Sequence, residues 1–573
     1  MLHRPASALV LSALLVALTG CGDDSPSAPP PDAGMDFGPP DLGIDAGPPP
    51  PPDVCDELGL ARTPFRTTGA GLGMGDVAGD FTAETLAGTY TLSERWSGCE
   101  SYVFFVHMPR ISDDVIRTPV DRLLSEGRRN VQYFFLSTST DADARRALME
   151  ELSAGLDETF AFQGTTVEEQ AFWRERFHFV TDEAGAVSGS VGAYVTDYLT
   201  FARTPAATVD LGDRGRAGMP PPTVFGIDRA QTWDPGDSLS PAVGAPADLL
   251  GMAAFLSHFY EYRGALDARL AAETDTTVVT LLDETTTGRV FVREATLPDA
   301  ATMAGFDTLE LDIEITCNQR NPFGCSEWDR IADIQLCADG AACTDRREIA
   351  RWITPYWRRG RQRYLIEASP FLGALRDGGT KHFFVELGPE WERATEWDAK
   401  VALRMRNRGG EPRATGAIRA FTGGGFGATY NDREPITFTP PADATRVELV
   451  TIVTGHGQES SNGCAEWCDH RHAFSVNGSA LPILRHEGES IGSDRGCAAR
   501  ADEGVIPGQW GNWAQARAYW CPGMAVQPIR TDITALVTPG SANTIDYEGA
   551  FRTGAPAGGD IALSAWVVWY RNP

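Results

Sequence analysis

The hydrophobic pattern of this chain changes character several times. Behind Arg4, Ala8 to Leu18 form a short apolar run, too short to span a bilayer as a folded helix. Residues 22 to 54 carry hardly an apolar side chain and are mostly Pro, Gly, Asp, Ala and Ser. Such a stretch cannot bury enough surface to offset chain entropy, and it is expected to be an extended tether. From about 55 to 272, apolar runs alternate with helical periodicity. Tyr102 to Val106, Val131 to Leu136 and Pro222 to Asp228 read as strands, while Ser112 to Glu126, Asp141 to Leu156 and Ala247 to about Ala272 read as helices. This order predicts an α/β domain with a mostly parallel sheet. Beyond 275 the helical period fades. Thr308 to Ile315 alternates on a period of two, and Phe383 to Glu386, Val401 to Met405, Arg446 to Val453 and Ala565 to Tyr570 add further short strands between Gly- and Pro-rich turns. Antiparallel sandwiches are the expectation, with a Gly-rich stretch near 407 to 427 dividing two halves, each of jelly-roll size.

Length and charge narrow the picture. At 573 residues the chain is too long for one core. The expected division is 1–20 signal, 21–54 tether, 55–272 α/β domain, 275–411 first sandwich and 412–573 second. Asp and Glu number 78 against 49 Lys and Arg, which argues against nucleic acid as a partner, because its phosphates would be repelled. The first segment ends in Leu18-Thr19-Gly20-Cys21, which resembles a bacterial lipobox. That resemblance implies cleavage before Cys21, acylation of its thiol and anchoring of an exported chain at the outer membrane; the rival is an ordinary secretory signal. Ten cysteines remain, an even number in an oxidising compartment, so disulfides are the default. Close pairs are Cys317 with Cys325, Cys337 with Cys343 and Cys464 with Cys468. Cys497 and Cys521 lie farther apart, leaving Cys55 and Cys99. Zinc is the alternative, although no C-x-x-C pair is present.

Gly79-Asp80-Phe81-Thr82, Tyr90 to Ser93, Trp96-Ser97-Gly98-Cys99 and Pro222-Thr223 stand in the order of thioredoxin and peroxiredoxin sequences, and the α/β region resembles that family. The family would put redox cysteines near Cys99. Here Cys99 is alone, with Cys55 a plausible structural partner, so the domain reads as a degenerate structural or partner-binding module; thiol oxidoreductase chemistry is the competing reading.

Generic catalytic motifs are weak. Gly488 to Gly492 fits G-x-S-x-G without the helix a nucleophile elbow needs, and Gly73 to Ala78 fits a loose dinucleotide pattern without a preceding strand. His470 and His472 would share one face of a strand and could hold a metal, but no third ligand is evident. Carboxylates beside tryptophans offer more. Hydrolysis of an amide or a glycosidic bond needs a positioned base and a second polar group, and indoles suit the apolar faces of sugars. Of the 14 tryptophans, 11 follow residue 275. The plainer reading puts those rings in sandwich cores and leaves the acids solvated.

Four blocks favour the functional reading: Cys325 to Arg330 (C-S-E-W-D-R), Arg351 to Trp357 (R-W-I-T-P-Y-W), Gly463 to Cys468 (G-C-A-E-W-C) followed by Arg471 and His472, and Arg517 to Val526 (R-A-Y-W-C-P-G-M-A-V). In this order over about 275 to 573 they resemble the peptide-N-glycosidase F family, bacterial amidases that strip N-linked glycans from asparagine. The resemblance implies two side-by-side eight-stranded jelly rolls with the site between them, and disulfides Cys317–Cys325, Cys464–Cys468 and Cys497–Cys521. It puts the principal catalytic aspartate on Asp329 and further catalytic acids on Glu466 and Glu386. Trp328, Arg330, Trp467, Arg517 and Trp520 would bind substrate, and Trp391 is a further candidate in a segment that is longer and differently spaced than the family's. No metal or organic cofactor is implied. The expected partners are N-glycoproteins or N-glycopeptides and a membrane reached through Cys21, with the chain acting as a monomer. One departure stands out: the family's Gly-Trp-Gly-His turn reads Gly455-His456-Gly457-Gln458 here. The rivals are a glycan-binding protein that has lost catalysis and a redox protein that uses its C-terminal half for targeting.

Overall fold

The computed structural model describes residues 53–572 except 111, 203–207, 211–215, 219–223, 238–249, 318–324, 392–395, 410–411, 458–464, 486–492 and 553. Cys21, the tether up to residue 52, Pro222-Thr223, Cys464 and the Gly488–Gly492 stretch therefore lie outside the described residues. Asp53 and Val54, expected in the tether, instead cap and open the short helix Val54–Glu57, with Val54 buried.

The N-terminal region is built on one sheet. Ser101–His107, Val131–Ser137 and Phe177–Glu183 run parallel at its centre. Every residue of the first two is buried, which is why they read as continuous apolar runs rather than alternating ones. The outer pairings are antiparallel. Val224–Ile227 lies against Ser101–His107 and is itself paired by Trp233–Asp237, while Phe81–Thr85 pairs with both Phe177–Glu183 and Gly88–Thr91. The mostly parallel sheet expected from the strand–helix alternation is thus a mixed one. Connections such as Thr85 to Gly88 and Ile227 to Trp233 are too short for a crossover, so the chain must turn back on itself.

The helices show how local signals act. Asp141 accepts from the amides of Asp143 and Ala144, each at 3.1 Å, and starts a helix that runs Ala142–Gln163 until Gly164 ends it at φ 65°. The single helix expected from Ser112 to Glu126 is instead two short ones, Asp113–Ile116 and Asp121–Ser125. Pro119 lies between them and disfavours helical geometry in the residue before it. Cys55 and Cys99 are joined by a disulfide, and neither is exposed. Mild reductant under native conditions is expected to leave Cys99 inaccessible to a thiol tag, as read by mass mapping. Rapid labelling would instead favour thiol chemistry.

Two β-sandwiches follow. The first packs a sheet of Thr277–Thr286, Trp397–Arg406, Thr308–Cys317 and Gly360–Glu367 against one of Val290–Asp299, Gly378–Glu386, Ile331–Cys337 and Arg346–Ile353. Its core joins Leu309, Leu311, Ile313 and Val401 from one sheet to Ile334, Trp352, Phe383 and Val385 from the other. The second sandwich packs a sheet containing Arg413–Gly425, Asp560–Arg571, Arg446–His456 and Ile529–Asp532 against one containing Ile436–Phe438, Asn543–Phe551 and His470–Val476. A short strand from the second half, Ala525–Val526, pairs with Arg346–Ile353 and extends a sheet of the first.

Elsewhere the halves meet through side chains. Arg446–His456 is buried on both faces: Val447, Leu449 and Val453 enter its own sandwich core, while Val450 and Ile452 face the apolar core shared with the first half. Phe371 meets Trp566 edge-on at 5.3 Å. The N-terminal region joins by its helix Ala254–Ala272. Glu310, Asp312 and Glu314, the polar positions of the alternating Thr308–Cys317 strand, face arginines there. Arg269 of the helix pairs with Glu310, and Asp267 of the helix bridges Arg361 at 2.6 Å and Arg363 at 2.8 Å.

Candidate active site

The segment carrying Asp329 is pinned on both sides. The Cys317–Cys325 disulfide holds its start. The hydroxyls of Ser326 and Thr354 both donate to the Trp328 carbonyl at 2.7 Å, and the Arg330 amide donates to Thr354 Oγ1 at 2.8 Å. Asp329 therefore projects from a short turn whose neighbours are fixed by backbone bonds. Glu466 comes from the second sandwich, where its carbonyl accepts the Ala518 amide at 2.9 Å. The Cys497–Cys521 disulfide holds the other end of that segment.

Between the two acids lies Arg517, with its side chain fully buried. Its Nε donates to Glu466 Oε1 at 3.0 Å, and its Nη2 stands 3.6 Å from Asp329 Oδ2. The same Nη2 donates to Asn512 Oδ1 at 2.9 Å and to Tyr356 Oη at 3.3 Å, while Nη1 donates to the Gln515 carbonyl at 2.9 Å. Its guanidinium carbon lies 4.5 Å from the Trp467 ring centre and 5.0 Å from that of Trp520. One cation thus serves two carboxylates. Burial pushes the Asp329 carboxyl up to about 7, with the Glu466 charge adding to the rise; Arg517, a hydrogen bond from Tyr356 and Arg330 pull it back. Asp329 is consequently poised to exchange a proton near neutral pH.

The other residues named from the sequence occupy distinct places. Arg330 lies over the Trp391 ring at 4.6 Å and that of Trp328 at 6.0 Å. Trp391 is 72% exposed, whereas Trp328 and Trp467 are half-buried. Trp520 is buried and donates to the Gly455 carbonyl at 2.7 Å; it backs the Arg517 guanidinium instead of lining an open groove. His456, at the departure noted above, stacks on Trp520 at 5.0 Å and shares a 2.7 Å hydrogen bond with Thr454 Oγ1. Burial pushes its pKa down to about 3, so its ring is neutral. Beside it is a cavity of about 490 Å³ lined by Ile331, Arg351, Gly424, Asp560 and Leu563.

Glu386 stands on the Gly378–Glu386 strand directly opposite Asp333, which is in turn opposite Arg351. Burial raises the Glu386 carboxyl and raises that of Asp333 far more, with Glu348 adding to the latter. Arg351 crosses to the second sandwich, donating to Thr454 Oγ1 and the Ala562 carbonyl, each at 2.7 Å. Among the described residues, no direct hydrogen bond or ion pair joins Glu386 to Asp329 or Glu466. Cys337 and Cys343 form a disulfide remote from Asp329, and Cys468 is disulfide-bonded. His470 and His472 are buried side by side, Nδ1 to Nε2 at 2.9 Å, and His472 Nδ1 meets Tyr547 Oη at 2.7 Å.

Residues with no role assigned from the sequence complete the site. Tyr356 and Thr354 lie inside a quoted block, yet only the fold brings the phenol to Asp329. Asn512, which orients Arg517, stands in a turn with no motif to mark it.

Residues 427–568 match the family model described as peptide-N-glycosidase F, C terminal. The peptide-N(4)-(N-acetyl-beta-D-glucosaminyl)asparagine amidase F of Elizabethkingia miricola is 26% identical over 305 residues, spanning 49% of this chain and 78% of that protein. A crystal structure of peptide-N(4)-(N-acetyl-beta-D-glucosaminyl) asparagine amidase covers 52% of this chain and 97% of its own, at 23% identity and TM-score 0.41. The structure of PNGase F from Flavobacterium meningosepticum covers 52% and 96%, at 22% identity and TM-score 0.39. On the family model and the curated relative, the C-terminal half of this chain is PNGase F-like.

Proposed function

We propose that this protein is an amidase that hydrolyses the side-chain amide linking asparagine to the first N-acetylglucosamine of an N-glycan. The observation that carries the reading is the meeting of Asp329 and Glu466, from different sandwiches, on the single buried cation Arg517. The likeness to peptide-N-glycosidase F sequences supports it.

In this reading water adds to the amide carbon, the C–N bond breaks, and a proton passes to the departing nitrogen. The products are aspartate and a glycosylamine, which later loses ammonia in exchange for water. Asp329 takes or returns the proton, because its carboxyl changes state near neutral pH. Glu466 holds the attacking water, Arg517 steadies charge on both acids, and Glu386 bonds the core sugar. Trp391, Trp328 and Arg330 form the outer sugar surface; Trp467 supports Arg517 from behind. The same proposal includes export with a lipid on Cys21, supported by the Leu18 to Cys21 motif, and a thioredoxin-like N-terminal domain with a structural role.

Incubating the full chain with an N-glycopeptide and weighing both products tests the reading. Conversion of Asn to Asp with an intact chitobiose on the released glycan is expected. A single N-acetylglucosamine left on Asn would point to endoglycosidase chemistry, and tight binding without cleavage to a lectin-like protein.

A further inference from the structure

We propose that the N-terminal region is a buttress for the catalytic segment, acting through a buried charge chain in which Asp234 and Arg358 are positioning residues. The kinetic half of this inference rests on the amidase reading; the structural half does not.

The argument begins with charge. Asp228, Asp234 and Arg263 are buried together in the N-terminal region. Arg263 donates to Asp228 at 2.7 Å and to Asp234 at 2.9 Å, and Tyr260 Oη donates to Asp234 at 3.2 Å. Two carboxylates and one guanidinium leave one negative charge unbalanced, a costly state away from water. Arg358, from the first sandwich, supplies the missing cation. Its Nη2 meets Asp234 Oδ1 at 2.5 Å, and both side chains are 1% exposed. The contact extends to a third element, because Arg358 Nε donates to the Pro507 carbonyl at 2.8 Å. Gly508 follows at φ 77°, so close to the N-terminal region that a Cβ there would sit 1.8 Å from the Gly236 carbonyl.

Arg358 is two residues from Tyr356, the phenol on Asp329. The intervening Trp357 has φ 52°, a left-handed conformation that costs about 1 kcal/mol or more and persists only where neighbours hold it. Those neighbours are the catalytic turn and the segment before Arg517. The Trp357 amide donates to Ser326 O at 2.8 Å, the Cys325 amide to Arg358 O at 3.0 Å and the Tyr356 amide to Gln509 Oε1 at 2.9 Å. A pull on Arg358 is therefore transmitted through backbone bonds to the turn that carries Asp329, and through the Gln509 side chain to the segment before Arg517.

The test uses the full chain with Asp234→Asn, and a double variant Asp234→Asn with Arg358→Gln that keeps the buried group neutral should the single variant fold poorly. Amide hydrogen exchange is expected to quicken about ten-fold or more over 325–330 and 353–360. Exchange in the Asn543–Phe551 strand should stay as in the parent. Glycan release should lose about a hundred-fold in kcat with KM within a few-fold, as for a misplaced catalytic group. Unchanged exchange over 353–360 in either variant overturns the buttress. Faster exchange with full kcat overturns the positioning role. A parent chain that releases no glycan removes the amidase reading instead, and exchange alone then decides the buttress.

Discussion

Asp329→Asn is expected to lower glycan release by about 10³- to 10⁴-fold while leaving glycopeptide affinity within a few-fold. Asparagine keeps the shape and hydrogen-bonding reach of the acid but cannot carry the proton. Calorimetric titration of the variant, beside mass-spectrometric release assays, separates the two effects. Loss of binding together with turnover would make Asp329 a recognition residue. Retained turnover would remove it from the mechanism.

The same variant makes a second, thermodynamic prediction. The folded carboxyl titrates at about 7, above the ordinary value of about 4 that it takes in the unfolded chain. A raised folded pKa means that the native state binds the proton more tightly between those values. The associated stabilisation is full below about pH 4 and disappears as pH rises through 7. By size of shift it is of the order of 4 kcal/mol. Asparagine does not titrate, so the stability of Asp329→Asn relative to the parent should improve steadily from pH 4 to 8. Urea melts across that range check this. A parallel pair of curves would place the Asp329 carboxyl at an ordinary pKa.

Arg517→Ala should be the most destabilising single substitution in the site, by about 3–5 kcal/mol, because it leaves the buried Glu466 and Asp329 carboxylates without their shared cation. Lysine is not an adequate replacement. The guanidinium reaches Glu466, Asn512 and Gln515 at once while standing within 5.0 Å of two indole ring centres, and an ammonium has neither the fork nor the plane. Arg517→Lys should therefore fold better than Arg517→Ala yet recover little activity. Since the Arg517 charge lowers the Asp329 pKa, any residual release by Arg517→Ala should have its pH midpoint displaced upward. Denaturant midpoints and pH–rate profiles of the two variants are the measurements. Parent-like stability in Arg517→Ala would show that the acids are solvated after all.

What the sequence made legible follows from the range of the interactions. The Thr308–Cys317 strand announces itself because alternation is local, and Asp141 and Gly164 mark the ends of a helix for the same reason. Burial on both faces is also readable, as the unbroken apolar run of Val131–Ser137 shows. Pro119 is a local signal of the same kind, and it parts the two short helices within a span whose apolar spacing reads as one. The direction of the outer strands in the N-terminal sheet depended on which neighbours they chose, which no local pattern encodes. At the site, the blocks brought Asp329, Glu466 and Arg517 forward through family resemblance. Tyr356 gained its place only from the turn at Trp357, and Asp333 only from standing opposite Glu386 in the sheet. Asp234 and Arg358 are 124 residues apart, and each reads alone as an ordinary surface charge. Only their burial together gives either a purpose.

The pairing of Ala525–Val526 with Arg346–Ile353 also constrains how the protein can be made. During synthesis the first sandwich emerges with that strand unpartnered, and its hydrogen-bonding edge stays open until the ribosome has reached Val526. A nascent chain must therefore carry an adhesive edge while residues 354–526 are added, or delay closing the sheet. Neither sandwich is an interchangeable cassette, since a cut between them would strand a piece of one inside the other.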